Sequence, residues 1–220
     1  MISTAVGEGK VSDAISVLEK GGILVVPTIR WYMICCSASK ATAAEKIFSA
    51  KKRPHSKQPL LLVPNHKVAV KMFQFSACAK KLIDYLWPGE ISMYLNWTSK
   101  NYSKSYSFCD QEYALVSMAT GLLGEIVSTF SEPVYATSVN ISGEYVDENA
   151  GPAISVTEVN RFISETGIAV DLIFDGGVCP AFTHTTIVDC RCLNEPVKII
   201  REGFVHRRAI KMVLENNERM

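Results

Sequence analysis

The sequence predicts an α/β fold in one domain, and three observations carry that prediction. Short apolar strands alternate with segments of helical periodicity and with hairpins. The 220 residues, 48% of them hydrophobic, suffice for one sizeable core. No internal repeat or low-complexity linker divides the chain. This order argues for one twisted mixed sheet with flanking helices.

Each element has its own signal. Val11, Ala14, Ile15 and Leu18 recur at helical spacing, which predicts a helix over about 10–20 that Gly21-Gly22 stops. Residues 23–26 are a continuous apolar run closed by Pro27, as in a strand buried on both faces. Residues 31–36 read as a second strand, because the link through Thr28, Ile29 and Arg30 is too short for a helix. Ala43, Ala44, Ile47 and Phe48 place a helix that ends near Lys51, with Pro54 beyond it. A strand over 60–63 and a helix over 78–86 follow, the helix halted by Trp87-Pro88-Gly89. Ile91, Met93, Leu95 and Trp97 alternate with Ser92, Tyr94 and Asn96, the period of a strand with one buried face.

Residues 98–111 are polar and read as a loop or hairpin, and 113–118 as a strand. Leu122, Leu123, Ile126, Val127 and Phe130 form a helical stripe. A short strand over 134–136 leads into a Gly143-centred loop that runs to about Pro152. Ser155 and Glu158 have the spacing of a capping box, opening a helix that Gly167 ends. Strands over 172–174, 186–188 and 197–200 complete the sheet, with a turn at Asp175-Gly176-Gly177. The domain is expected over 8–205. Residues 206–220 read as a short helix or a C-terminal tail, and the tail is the expectation adopted.

Charge and cysteine usage narrow the function classes. The net charge is +1, from 23 basic and 22 acidic residues, but residues 46–83 hold nine Lys or Arg and no Asp or Glu. A basic segment in a near-neutral protein points to a local anionic ligand, the alternative being a solvated basic face. The seven Cys include adjacent Cys35-Cys36 and no Cys-x-x-Cys, which suits reduced cytoplasmic thiols rather than disulfides or a zinc site. No apolar run approaches the ~18 residues of a membrane span, and the first ten residues lack the apolar core of a signal peptide.

Polar clusters stand at predicted strand ends, where α/β sheets place their ligands. Lys51, Arg53 and Lys57 have the chemistry to neutralise a triphosphate, Arg with a planar fork and Lys with a point charge. Ser138 and Asn140, two apart on an extended segment, project to one side and offer a hydroxyl and an amide to a ribose, phosphate or small acid. Walker A and Gly-x-Gly-x-x-Gly sequences are absent, so P-loop and dinucleotide sites are not expected. The four His are dispersed and read as exposed or hydrogen-bonded side chains.

Taken in order, these clusters resemble the motifs of the YrdC-like family, the threonylcarbamoyl-AMP synthases and their YciO-type paralogues. The family's Lys-x-Arg is Lys51-Lys52-Arg53 and its Trp-Pro-Gly is Trp87-Pro88-Gly89. Its Ser-Ala-Asn-x-Ser-Gly is Ser138 to Gly143 with Val139 for Ala, and its Ser-Thr-x-Val-Asp is Thr185 to Asp189 with Thr for Ser. Its Arg-x-Gly is Arg201 to Gly203. The resemblance implies a single YrdC-like domain with a large basic cavity. It implies a reaction in which L-threonine, bicarbonate and ATP, accompanied by Mg²⁺, give threonylcarbamoyl-AMP and pyrophosphate for modification of tRNA. By the same resemblance, Lys51, Arg53, Ser138 and Asn140 are the expected catalytic residues. Arg53, Lys57, Asn140 and Arg201 are expected to bind ATP, and Thr28, Arg30, Tyr32, Ser138 and Thr185 the acceptor. No resident metal site is expected.

The departures cluster on the acceptor side. In the family's Pro-Thr-Asp/Glu-Thr-x-Tyr-Gly-Leu, the second Thr is here Arg30 and the Gly is Met33. The family's Val-Arg-Val-Pro strand is Leu115-Val116-Ser117-Met118, without the Arg thought to grip the threonine carboxylate. Three readings stay open at this point. One is a synthase in which Arg30 restores the missing charge. Another is an adenylate-forming enzyme with a different small acceptor. The last is an inactive module that binds nucleotide or double-stranded RNA.

Overall fold

The structure, a computed structural model, describes residues 10–106, 111–143, 151–181 and 183–215. In chain order these form α1 (Val11–Glu19), β1 (Ile23–Pro27), β2 (Tyr32–Ser37), α2 (Ala41–Ala50), β3 (Leu60–Leu62), α3 (His66–Met72) and α4 (Ala77–Leu86). They continue with β4 (Ile91–Asn96), α5 (Lys100–Tyr106), β5 (Tyr113–Ser117), α6 (Gly121–Phe130), β6 (Val134–Ser138), α7 (Val156–Thr166), β7 (Leu172–Ile173), β8 (Thr186–Asp189), β9 (Lys198–Arg201) and α8 (Arg207–Glu215).

The nine strands make one sheet in the order β7-β1-β2-β6-β3-β5-β4-β8-β9. It is mixed: β1 pairs antiparallel with β2 and parallel with β7, while β4 pairs antiparallel with β5 and parallel with β8. Residues of β1 show why its sequence is a continuous apolar run. Ile23 and Val25 enter a larger core with Ala43, Ile47, Leu82 and Phe162, whereas Leu24 and Val26 enter a smaller one with α1 and α6. Helices cover both faces there, so neither face of β1 has reason to be polar.

The other end of the sheet is built differently. The smaller core reaches β3 through Leu62 and stops. Beyond it, the opposite face keeps its apolar layer, with Ile91, Met93 and Leu95 of β4 and Val116 of β5 in the larger core. The face left over carries Ser92 and Tyr94 of β4, Leu115 of β5 and Ile187 of β8, and these line a cavity. The alternation in 91–97 is therefore a strand with one face in the core and the other at the floor of that cavity.

Three helices depart from the sequence expectations. α3 has too few residues for a periodic stripe, but Asn65 caps it by accepting from Val68 N at 2.9 Å. The stretch expected as a loop or hairpin over 98–111 contains α5, which has no fully buried residue and so no apolar face to betray it; residues 107–110 lie outside the described ones, as do 144–150 of the expected Gly143 loop. The segment expected as a tail is helical over Arg207–Glu215, and Ile210, 1% exposed, seals it into the larger core. Among the described residues, no helix is long and apolar enough to cross a membrane.

Candidate functional site

The site begins where α2 ends. Lys52 takes a left-handed φ of 47°, and Arg53 N donates back to Phe48 O at 2.9 Å, so the chain reverses immediately after Lys51. Lys51 is thereby driven inward and is 1% exposed. Its ammonium donates to the carbonyl of Ser138, to the carbonyl of Asn140 at 2.5 Å and to Asn140 Oδ1 at 3.2 Å. Ser142 N returns a bond to Lys51 O at 2.8 Å. Three N–H donors thus meet three oxygens, and the end of α2 is tied to the end of β6. Burial, with Arg53 nearby adding to it, pulls the Lys51 pKa down to about 7.

Arg53 spends Nε on Lys57 O at 3.0 Å and one terminal nitrogen on Gln58 O at 2.7 Å, which closes its own loop. Burial lowers its pKa from the usual arginine value. Lys57 is exposed, and its ammonium makes no hydrogen bond or ion pair among the described residues. On the facing strand end, Ser138 Oγ donates to Asn140 Oδ1 at 2.6 Å, and Asn140 Nδ2 donates to Ile141 O at 3.0 Å. Arg201 of β9 donates through Nε and one terminal nitrogen to Thr185 O, at 3.2 and 3.0 Å. Gly203 is required beside it, because a Cβ there would stand 2.1 Å from His184 O.

Lys51, Arg53, Lys57, Ser138, Asn140, Thr185 and Arg201 all line one cavity of about 430 Å³, together with Arg30. Among the described residues, five cationic side chains line it and no Asp or Glu does. The basic loop and the hydroxyl–amide pair, distant in sequence, share one hollow. A second cavity of about 330 Å³ adjoins it, sharing Arg30, Met33, Leu60 and Thr185 as a partition. Its walls are mainly apolar, with Leu62, Leu122, Leu123 and Val178 among them.

Two of the expected acceptor residues have other roles. Tyr32 is fully buried, lines neither cavity, and anchors a loop by donating to Gly177 O at 2.8 Å and accepting from Gly176 N at 3.1 Å. The strand it belongs to turns that ring into the larger core, away from both cavities. Thr28 lines the second cavity, but its hydroxyl closes its own turn, donating to Trp31 O at 2.7 Å and accepting from Arg30 N at 3.2 Å. Arg30 is 8% exposed and lies 2.6 Å from Glu90 Oε2, with its guanidinium 4.9 Å from the Trp31 ring centroid. Burial lowers its pKa, and Glu90 opposes that.

Several lining residues escaped the sequence reading. His184, read as an unremarkable histidine, packs edge-on against Trp31 at 4.9 Å, and burial, then Arg201 and Arg30, lower its pKa. Its place directly before the Thr185 motif was the available signal. Ser92 and Tyr94 sat on the polar side of a recognised alternating strand. Glu90 follows the Trp-Pro-Gly turn, where a Cβ on Gly89 would meet Leu86 O at 2.5 Å, so the turn fixes where Glu90 emerges.

Comparison with known proteins agrees with this geometry. A threonylcarbamoyl-AMP synthase of Psychromonas ingrahamii is 26% identical over 183 residues, 82% of this chain and 92% of that protein. The crystal structure of P. abyssi Sua5 complexed with L-threonine superposes with a TM-score of 0.78 at 21% identity, over 93% of this chain. This chain spans only 57% of that one. E. coli YciO superposes with a TM-score of 0.70 at 20% identity, covering 88% of this chain and 89% of its own. The Sua5/YciO/YrdC family model, described as telomere recombination, matches residues 16–203, and the chain belongs to that family.

Proposed function

We propose that this protein joins L-threonine, bicarbonate and ATP into threonylcarbamoyl-AMP with release of pyrophosphate, as a cytoplasmic step toward modified tRNA. The observation that carries the reading is the convergence of Lys57, Arg53, Arg201 and the Ser138–Asn140 strand end on one hollow that, among the described residues, has no carboxylate in its lining. A chamber of one sign raises the local concentration of a polyanion and stabilises charge that develops on it.

The chemistry asks for positioning more than for covalent help from the protein. The unprotonated amine of threonine adds to the carbon of bicarbonate, and a C–O bond breaks to release water, which carries off the amine proton and leaves a carbamate. A carbamate oxygen then attacks the α-phosphorus of ATP, the bond to the β-phosphate oxygen breaks, and pyrophosphate leaves with the electron pair. Lys57 and Arg201 neutralise the departing pyrophosphate in this reading, with Arg53 at the floor of its loop. Lys51 holds Ser138 and Asn140 in register. Arg30 stands on the partition between the chambers and supplies the positive charge that β5 lacks for the acceptor's carboxylate.

The Mg²⁺ expected with the nucleotide would be carried mainly by phosphate and water oxygens. Among the described residues, the nucleotide chamber offers it Ser, Thr and Asn oxygens but no carboxylate, and no cluster of metal-ligating side chains exists.

The test is incubation with ATP, bicarbonate, Mg²⁺ and L-threonine, followed by mass detection of the adenylate and by pyrophosphate release. Product that requires all three substrates is expected. ATP that binds but yields no pyrophosphate with threonine or any other amino acid contradicts the reading.

A further inference from the structure

The two chambers differ in a feature that the family motifs do not account for. Arg30 lines both, while Glu90 lines only the smaller, apolar one, and among the described residues these two are its only charged lining side chains. Arg30 Nε and Glu90 Oε2 are 2.6 Å apart, yet each is buried without a well-directed hydrogen bond. The terminal nitrogens of Arg30 make no hydrogen bond to another described residue either. A largely buried ion pair is ordinarily kept only where its remaining donors and acceptors are met, and a buried polar group left unmet is destabilising. A ligand that carries a carboxylate beside an ammonium meets both halves at once.

We propose that Arg30 and Glu90 together read the zwitterionic head of an α-amino acid, Arg30 its carboxylate and Glu90 its ammonium, with an uncharged side chain lodged in the 330 Å³ chamber. The proposal rests on the acceptor side of the reaction given above and adds Glu90 to it as a specificity-determining residue. Leu62, Leu122, Leu123 and Val178 make the chamber wall, so a charged side chain would be left there without a partner. Geometry also explains why one change alone would not serve. Arg30 without Glu90 would be an uncompensated buried cation, and Glu90 without Arg30 an uncompensated anion.

The experiment is calorimetric titration of the full chain with L-threonine, N-acetyl-L-threonine and L-threonine amide. The wild type is expected to bind threonine at least tenfold more tightly than either derivative. Glu90→Gln is expected to weaken threonine about tenfold and to erase its advantage over the N-acetyl form, while keeping its advantage over the amide. Arg30→Gln is expected to do the converse. Glu90→Asp, which keeps the charge, restores discrimination against the N-acetyl form and decides the matter if Glu90→Gln does not fold.

A merely structural ion pair would lower the melting temperature of the variants but leave discrimination intact. That result overturns the proposal, as does a wild type that binds the derivatives as well as threonine. Adenylate formation without discrimination defeats this inference and leaves the enzymatic reading standing. Discrimination without pyrophosphate release does the reverse.

Discussion

Lys51 and Lys57 belong to one loop and face one cavity, yet they have opposite fates. Lys51 is buried, and each of its N–H donors meets an oxygen of the β6 strand end. Lys57 is exposed, with an ammonium that has no partner among the described residues. The difference arises in the backbone, where the left-handed turn at Lys52 sends one side chain inward and lets the next segment pass along the rim. Two residues of the same type are therefore divided: Lys51 ties the end of α2 to the end of β6, and Lys57 lines the cavity with its ammonium unengaged among the described residues. The loop's arginine combines both roles, holding carbonyls with part of its fork and lining the cavity.

The sharpest way to break this division is Lys51→Met, which keeps the stem and removes the donors. The carbonyl of Asn140 would then lose its ammonium donor and that of Ser138 would keep only Asn140 N, at 3.1 Å, so the unfolding free energy should fall by about 2 kcal/mol. Urea denaturation measures this, and a loss below about 0.5 kcal/mol, the range of ordinary surface substitutions, would remove Lys51 from the scaffold. The same lysine predicts a pH effect. Burial holds its folded pKa down to about 7, below the usual lysine value of 10.5, so the unfolded chain binds more protons between those values. Its contribution therefore makes stability rise with pH across that window, by at most about 1.4 kcal/mol per pH unit. Lys51→Met should flatten that component, which denaturation curves at pH 7, 8 and 9 would reveal.

Lys57→Ala sharpens the other half of the comparison. ATP affinity should fall about tenfold, equivalent to about 1.4 kcal/mol, while the unfolding free energy stays within about 0.5 kcal/mol of wild type. A calorimetric titration paired with a denaturation curve separates the two. Tyr32→Phe gives the smallest effect and the opposite split. It removes the bonds to Gly176 and Gly177, lowering stability by about 1 kcal/mol, with ATP affinity unchanged because the ring lines neither cavity.

Much of the fold was legible because its signals are local. The two-sided burial of β1 was written in a continuous apolar run, and the floor of the cavity in the alternation along β4. The site was legible as chemistry: a basic loop, a Ser–Asn pair and an Arg-x-Gly, all of which line the same hollow. What sequence could not supply was direction and pairing. Nothing in the letters distinguishes a buried lysine from an exposed one six residues later. Arg30 was visible as an unusual cation, but its partner Glu90 sits on another element, and only the fold brings them to 2.6 Å. Tyr32 was expected at the acceptor because its motif resembles the family's, yet strand alternation turns its ring to the other face. α3 and α5 were missed because one turn or two carries too little periodicity to register.

The most direct measurement is a crystal of the full chain soaked with a non-hydrolysable ATP analogue. The account predicts triphosphate density in the 430 Å³ chamber, within hydrogen-bond reach of Lys57 and Arg201, with Lys51 still bound to the carbonyls of Ser138 and Asn140. Nucleotide density elsewhere on the molecule, with that chamber holding only water at a saturating concentration, would contradict it.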